Sequence, residues 1–239
     1  MNQASGNSYP SVETASQVLA SITERPLFTL TVPQQSQRQA AEQFIAEQFK
    51  SAHQAHIHRF MPLLLSLLTP EQQIVAAFGL RPGTETPLFL EQYLAQPIEQ
   101  LVASQFKQPV DRLRLVEVGN LAVTQKAYGP SLMAALATLL HQCQFEWMVF
   151  TATRQVQRLM LMLGFAPIPL CIADPAKLRD DEEDWGSYYL NQPTVMVGSI
   201  KTAIAVVEQH PRLRRIQQQL LPDITRAANT ILPLLQQSR

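Results

Sequence analysis

The sequence predicts an α/β fold: a mixed, twisted sheet with flanking helices over residues 23–200, preceded by a flexible N-terminal tail over residues 1–22 and followed by a C-terminal helical extension over residues 201–239. Three observations carry this. Residues 113–124 form a long β-type run in which both side-chain sets are mostly apolar, Leu113, Leu115, Leu121 and Val123 on one, Val116, Val118 and Ala122 on the other. Such a strand is expected to be covered on both faces. A loop, a helical stretch and a second apolar run over residues 145–151 follow, and two strands separated by a helix of that length are expected to pair in parallel. From Lys201 onward the composition becomes Gln- and Leu-rich with a helical repeat.

The remaining elements follow in order. Residues 28–32 alternate as a strand does and stop at Pro33. Ala41, Phe44, Ile45, Phe49 and Ala52 share one helical face, so residues 37–54 are an amphipathic helix. Residues 61–68 and 74–81 are short apolar runs joined by a polar connection, which suits two antiparallel strands. Residues 89–105 have a looser helical period, with Pro97 as a helix start or a break. The helix from Pro130 places Leu132, Leu136, Leu139, Leu140 and Cys143 on one face. Residues 154–163 form a second helix closed by Gly164, with Met160-Leu161-Met162 read as core packing. Residues 167–173 and 194–200 are strands, separated by a polar loop that carries the acidic run Asp180-Asp181-Glu182-Glu183-Asp184, read as solvated. In the tail, Pro211, Pro222 and Pro233 are expected to divide the helix into short pieces.

Composition removes several functions. Lys plus Arg and Asp plus Glu are equal at 19 each, so no global charge draws the chain to nucleic acid. Arg212, Arg214 and Arg215 lack interleaved aromatics and read as a solvated helix face. Cys143 and Cys171 form no CxxC pair, which excludes a disulfide scaffold and a thiolate zinc site. His53, His56 and His58 do not share a helical face, so no metal site is expected. The first twenty residues lack a basic start followed by an apolar run, and no stretch reaches the roughly 18 apolar residues of a membrane span. A cytoplasmic location is expected.

Glu117 and Asn120 are the polar exceptions in a strand otherwise fit for burial. A buried carboxylate must be paired, hydrogen-bonded or neutral, and desolvation raises its pKa toward the range of a general base. Two readings stand: a base beside a bulge at Gly119, or a structural Glu bonded to Arg112 or Arg154. Lys126-Ala127-Tyr128-Gly129-Pro130-Ser131 leads into a helix N-terminus, where unpaired N–H groups favour a phosphate. The aromatic cluster in Trp185-Gly186-Ser187-Tyr188-Tyr189 either anchors its loop or lines a pocket.

Four motifs in order, Pro87-Leu88-Phe89-Leu90-Glu91-Gln92-Tyr93-Leu94, Val116-Glu117-Val118-Gly119-Asn120-Leu121-Ala122, Val149-Phe150-Thr151-Ala152-Thr153 and Trp185-Gly186-Ser187-Tyr188-Tyr189, resemble the bacterial family labelled thermostable hemolysin over about residues 59–200. The element order is similar to the GNAT acyltransferase fold, including its acyl-homoserine-lactone synthase branch. That resemblance implies an N-acyltransferase with no tightly bound cofactor. Its donor would be a coenzyme A thioester or acyl-carrier phosphopantetheine, and its acceptor a small amine. Glu117 matches a general-base position. The bulge segment Gly119, Asn120 and Leu121 would meet the donor, and Lys126, Gly129 and Ser131 occupy the pyrophosphate-loop positions, with Arg154 completing the donor site. Lys126 and Ser131 depart from the loop consensus, which leaves room for a longer acyl group. The tyrosine that many GNAT enzymes use as acid has no counterpart in residues 154–163, so the resemblance implies that Tyr188 or Tyr189 would take that role. The family label offers an alternative, a membrane-active haemolytic protein without catalysis.

The extension repeats Ile204, Val207, Leu213, Ile216, Leu220, Ile224, Ala227, Ile231 and Leu234 at helical intervals. An apolar stripe of this length must pack on its own sheet or on a second subunit, and a homodimer through these helices is the expectation.

Overall fold

The computed structural model describes residues 28–31, 36–85, 87–178 and 183–237. The expected tail over residues 1–22 lies outside them, as do Val32 and Asp180, Asp181 and Glu182 of the acidic run. In chain order the elements are β1 (Phe28–Thr31), α1 (Ser36–His53), β2 (Leu63–Leu68), β3 (Ile74–Pro82), α2 (Ile98–Phe106), β4 (Leu115–Val123), α3 (Gly129–Gln142), β5 (Trp147–Ala152), α4 (Arg154–Met162), β6 (Ile168–Ile172), β7 (Thr194–Ser199), α5 (Ile200–Gln209) and α6 (Pro211–Gln237). They build one seven-stranded mixed sheet in the order β1-β2-β3-β4-β5-β7-β6. All neighbours are antiparallel except β4 and β5, which run parallel around the α3 crossover. The two apolar runs on either side of a helix therefore became adjacent parallel strands, as their spacing predicts.

Both sheet faces are covered. On one, Val116 and Val118 of β4 and Met148, Phe150 and Ala152 of β5 pack under α3, whose residues from Leu132 to Leu140 are all buried, and under α5 and α6. On the other, Leu115, Trp147 and Val149 meet Leu88, Leu90, Tyr93 and α2, while Ala77 and Ala122 meet α1 through Ala41, Phe44 and Ile45. Residues 89–105 split into a 3₁₀ turn, Phe89–Tyr93, and α2, for which Pro97 is the N-cap. Helix α4 ends in a Schellman turn, the N–H of Phe165 donating to the carbonyl of Met160 at 2.9 Å past Gly164 at φ +88°.

Four expectations are corrected. Leu113 is 40 % exposed and precedes the strand, because the Asp111 carboxylate accepts the Leu113 N–H at 2.9 Å and turns the chain into a 3₁₀ element. Of Met160-Leu161-Met162 only Met160 is core, and Leu161 and Met162 are 63 % and 75 % exposed. Consecutive residues on a helix point about 100° apart, so a single buried stripe takes one of the three. The acidic run is not simply solvated: the Glu183 carboxylate accepts the N–H groups of His58 and Arg59 at 2.8 and 2.6 Å, and Asp184 bridges to His56. Lastly, Pro211 does separate α5 from α6, but Pro222 and Pro233 sit inside one continuous 27-residue helix. Both prolines are exposed, while Leu220, Ile224, Ala227, Ala228 and Ile231 stay in the core, so packing outweighs the lost hydrogen bonds.

The stripe of α5 and α6 from Ile204 to Ile231 is thus buried or half-buried within its own chain, chiefly on α3, leaving Leu234 exposed near its end, and Gln217 and Gln142 add side-chain hydrogen bonds to Thr138 and Thr225 across that contact. The ground on which a second subunit was expected is thereby removed.

Candidate active site

Strands β4 and β5 pair only from Leu115–Trp147 to Val118–Phe150, although β4 continues to Val123 and β5 to Ala152. Beyond that point they part and leave a wedge. On its other side β4 carries a bulge against β3: Ala77 faces Ala122 and Gly79 faces Gly119, so two steps on β3 match three on β4. Asn120, at φ +51°, takes up the extra residue.

Glu117 lies one residue before the strands part, opposite Arg81 on β3 and Val149 on β5, and is 2 % exposed. Its carboxylate accepts the N–H of Phe89 at 2.8 Å through Oε2 and of Leu90 at 2.9 Å through Oε1. Burial pushes its pKa up to about 7, against the charge of Arg81 and the two N–H donors. Neither Arg112 nor Arg154, the partners considered from sequence, holds it. Arg112 donates to Glu91, at 2.8 and 2.7 Å, to Glu99 at 2.5 Å and to the Gly83 carbonyl. Glu91 also accepts the N–H groups of Leu88 and Ile98, and although burial opposes it, these bonds hold its carboxyl down at about 2. The motif around Glu91 is therefore the clamp that presents the turn Phe89–Tyr93 to Glu117.

Gly119 admits Met61. A Cβ at Gly119 would run into Cε of Met61, and one at Gly79 into its Cβ. The Asn120 side chain accepts the Met61 N–H at 2.7 Å, and Arg38 donates to the carbonyls of Met61 and Pro62. Gly119 and Asn120 thus hold the segment that crosses the bulge, while Leu121 packs toward α3. Lys126 is exposed in a 3₁₀ turn, Gly129 opens α3 and Ser131 is its third residue. An added Cβ at Gly129 would come within 2.7 Å of Leu159, so the start of α3 rests on α4. Arg154, the first residue of α4, donates to Gln192 at 2.5 Å. The loop and Arg154 each follow the C-terminal end of a strand of the parallel pair, β4 and β5, and the contact that joins α3 to α4 is made by Gly129 and Leu159.

The aromatic loop is an anchor that also walls the Glu117 side. Tyr188 stacks on Phe49 and meets His53 edge-on at 5.2 Å, and Trp185 packs on Phe89 at 6.0 Å. The Tyr189 and Tyr93 hydroxyls share a hydrogen bond of 2.5 Å. Burial raises the Tyr93 phenol, with Tyr189, Tyr188 and Glu117 adding to the effect. It likewise raises Tyr188 and pushes Tyr189 up to about 12. All three keep their protons at neutral pH and can only give one up to a strong base. Tyr93 and Arg81 are the site residues that sequence reasoning missed. Tyr93 sits inside a quoted motif, but the bond across 96 residues to Tyr189 leaves no local trace.

On the opposite face an apolar cavity of about 40 Å³ lies between α3, α4, β5 and α5, lined by Met133, Met148, Met160, Phe165, Ile200 and Val206 among others.

Among solved structures, the chain resembles a CoA-dependent acyl-homoserine lactone synthase, BjaI, determined with SAM and isopentyl-CoA, at 12 % identity over 78 % of this chain and 89 % of that one, with a TM-score of 0.53. It also resembles FeeM, an N-acyl amino acid synthase from uncultured soil microbes, at 11 % identity over 80 % of this chain and 98 % of that one, with a TM-score of 0.54. These likenesses establish the GNAT-like fold. No curated protein matches the sequence. The family model described as Thermostable hemolysin matches residues 31–204, which span the whole sheet from the end of β1 and both halves of the wedge, and the chain belongs to that family.

Proposed function

We propose that the protein is an acyltransferase that moves an acyl group from a thioester, on coenzyme A or on a carrier phosphopantetheine, to an amine. The observation that supports this best is the wedge between β4 and β5 with Glu117 at its closed end. The amine nitrogen attacks the thioester carbonyl, the C–N bond forms and the C–S bond breaks. Glu117, with a pKa near neutrality, takes the proton the amine loses. The departing thiolate is too weak a base to take the proton of Tyr188, which burial holds above its ordinary range, so the proton that Glu117 took from the amine passes on to sulfur. The start of α3 with Lys126 and Ser131, and Arg154 at the start of α4, would bind the donor's phosphates. The two solved relatives named above, both synthases of acylated products by their descriptions, have the same fold.

Calorimetry with short- and long-chain acyl-CoA and acyl-carrier proteins tests the donor, and absence of binding by all of them would remove the reading. Glu117→Gln is expected to retain donor binding while turnover falls about a hundredfold or more. The family label and the exposed Leu161 and Met162 support lysis as a second reading. Among the described residues no helix is long and apolar enough to cross a membrane. Dose-dependent liposome leakage that persists in Glu117→Gln would favour lysis over catalysis.

A further inference from the structure

Resting on that reading, we infer that the acyl acceptor is an α-amino acid whose carboxylate is held by Arg81 while its amine faces Glu117. Arg81 and Glu117 are direct partners across the antiparallel β3–β4 pair, so their side chains leave the same sheet face roughly 5 Å apart. They do not bond to each other: Glu117 gives its oxygens to the turn, and Arg81 acts on it through charge alone. Arg81 has an unmet need. Its Nε is buried without a hydrogen-bond partner among the described residues, and its ion-pair partner Glu85, half exposed, stands 3.7 Å away, beyond hydrogen-bond reach. Arg112, the comparable arginine of this region, has an acceptor for each of its three nitrogens. A buried guanidinium donor left empty is costly, and a carboxylate is the acceptor whose geometry fits it. An α-amino acid carries amine and carboxylate on one carbon, a spacing that matches two neighbouring positions on a sheet. The Arg81 side chain is 25 % exposed, so the approach lies on its side of the pair. Phe89, whose N–H binds Glu117, and Trp185 offer rings to the amino acid's side chain.

The test uses the full-length protein and calorimetry with L-phenylalanine, L-leucine, L-phenylalaninamide and phenethylamine. At least one free amino acid is expected to bind roughly tenfold or more tightly than the amide and the amine. Arg81→Gln, checked for folding by circular dichroism, should erase that preference, and Arg81→Lys should restore part of it. Equal binding of acid, amide and amine by the native protein, no binding of either amino acid, or a preference that survives in Arg81→Gln overturns the inference. Thiol release from the donor separates this from the reading beneath it. Release that is as fast with phenethylamine as with the amino acids retains acyl transfer and removes the carboxylate site. Arg81-dependent amino-acid binding with no thiol release from any donor does the reverse.

Discussion

A carboxyl raised to about 7 inside the sheet holds its proton over a range in which the unfolded chain has released it. For Glu117 the sign follows from linkage. The folded protein binds the extra proton between about 4.5 and 7, so the stability this group contributes is full below 4.5 and is lost as pH rises through about 7. Glu117→Gln removes the titration. Unfolding by urea at pH 5 and pH 8 is expected to show that the native protein loses on the order of 3 kcal/mol more than the variant across this interval. Equal losses would mean that Glu117 titrates normally. The catalytic reading requires activity to rise over the same window as the base form appears. Glu117 was legible in the sequence because it interrupts an apolar strand. Arg81 was not, since its meaning depends on which residue of β4 lies opposite, and register is set by the bulge and the packing of both strands.

At the scale of elements, two segments show how packing redirects local signals. The loose period over residues 89–105 resolved into a turn and a helix because Glu91, held by Arg112, ties the N–H groups of Leu88 and Ile98 to one carboxylate. No rule of propensity contains that junction. In α6 the prolines announce breaks that the buried stripe overrules. Pro222 is exposed, and its ring still costs the helix interior up to about 3 kcal/mol. Pro222→Ala is therefore expected to stabilise the protein by about 1–3 kcal/mol, read as a higher Tm at roughly 2–4 °C per kcal/mol. A lower Tm would show that the proline shapes a bend the packing needs.

For the molecule as a whole, α5 and α6 complete the core. Leu213, Leu220, Ile224 and Ile231 belong to the same cluster as Leu132, Leu139 and Phe150. Truncation after Ile200 would expose the outer face of α3, so the shortened chain is expected to aggregate or lose cooperative unfolding rather than yield a clean monomer. Light scattering and a thermal melt check this, and a monomeric, cooperatively folding fragment would show that the sheet domain stands alone. The full chain is expected at monomeric mass, because its stripe is already covered.

The sequence by itself determined the alternation of strands and helices, the parallel pair at the centre, the buried Glu117 and the bulge beside Gly119. Each is a local pattern of apolar spacing, glycine or proline that short-range physics reads directly. Only the tertiary structure decided what those residues touch: the turn N–H groups on Glu117, Met61 against Gly119, Tyr93 on Tyr189 and the empty donor of Arg81. These contacts join residues dozens of positions apart. They depend on strand register and on which elements cover a face, quantities set by the summed packing of the whole chain rather than by any one segment.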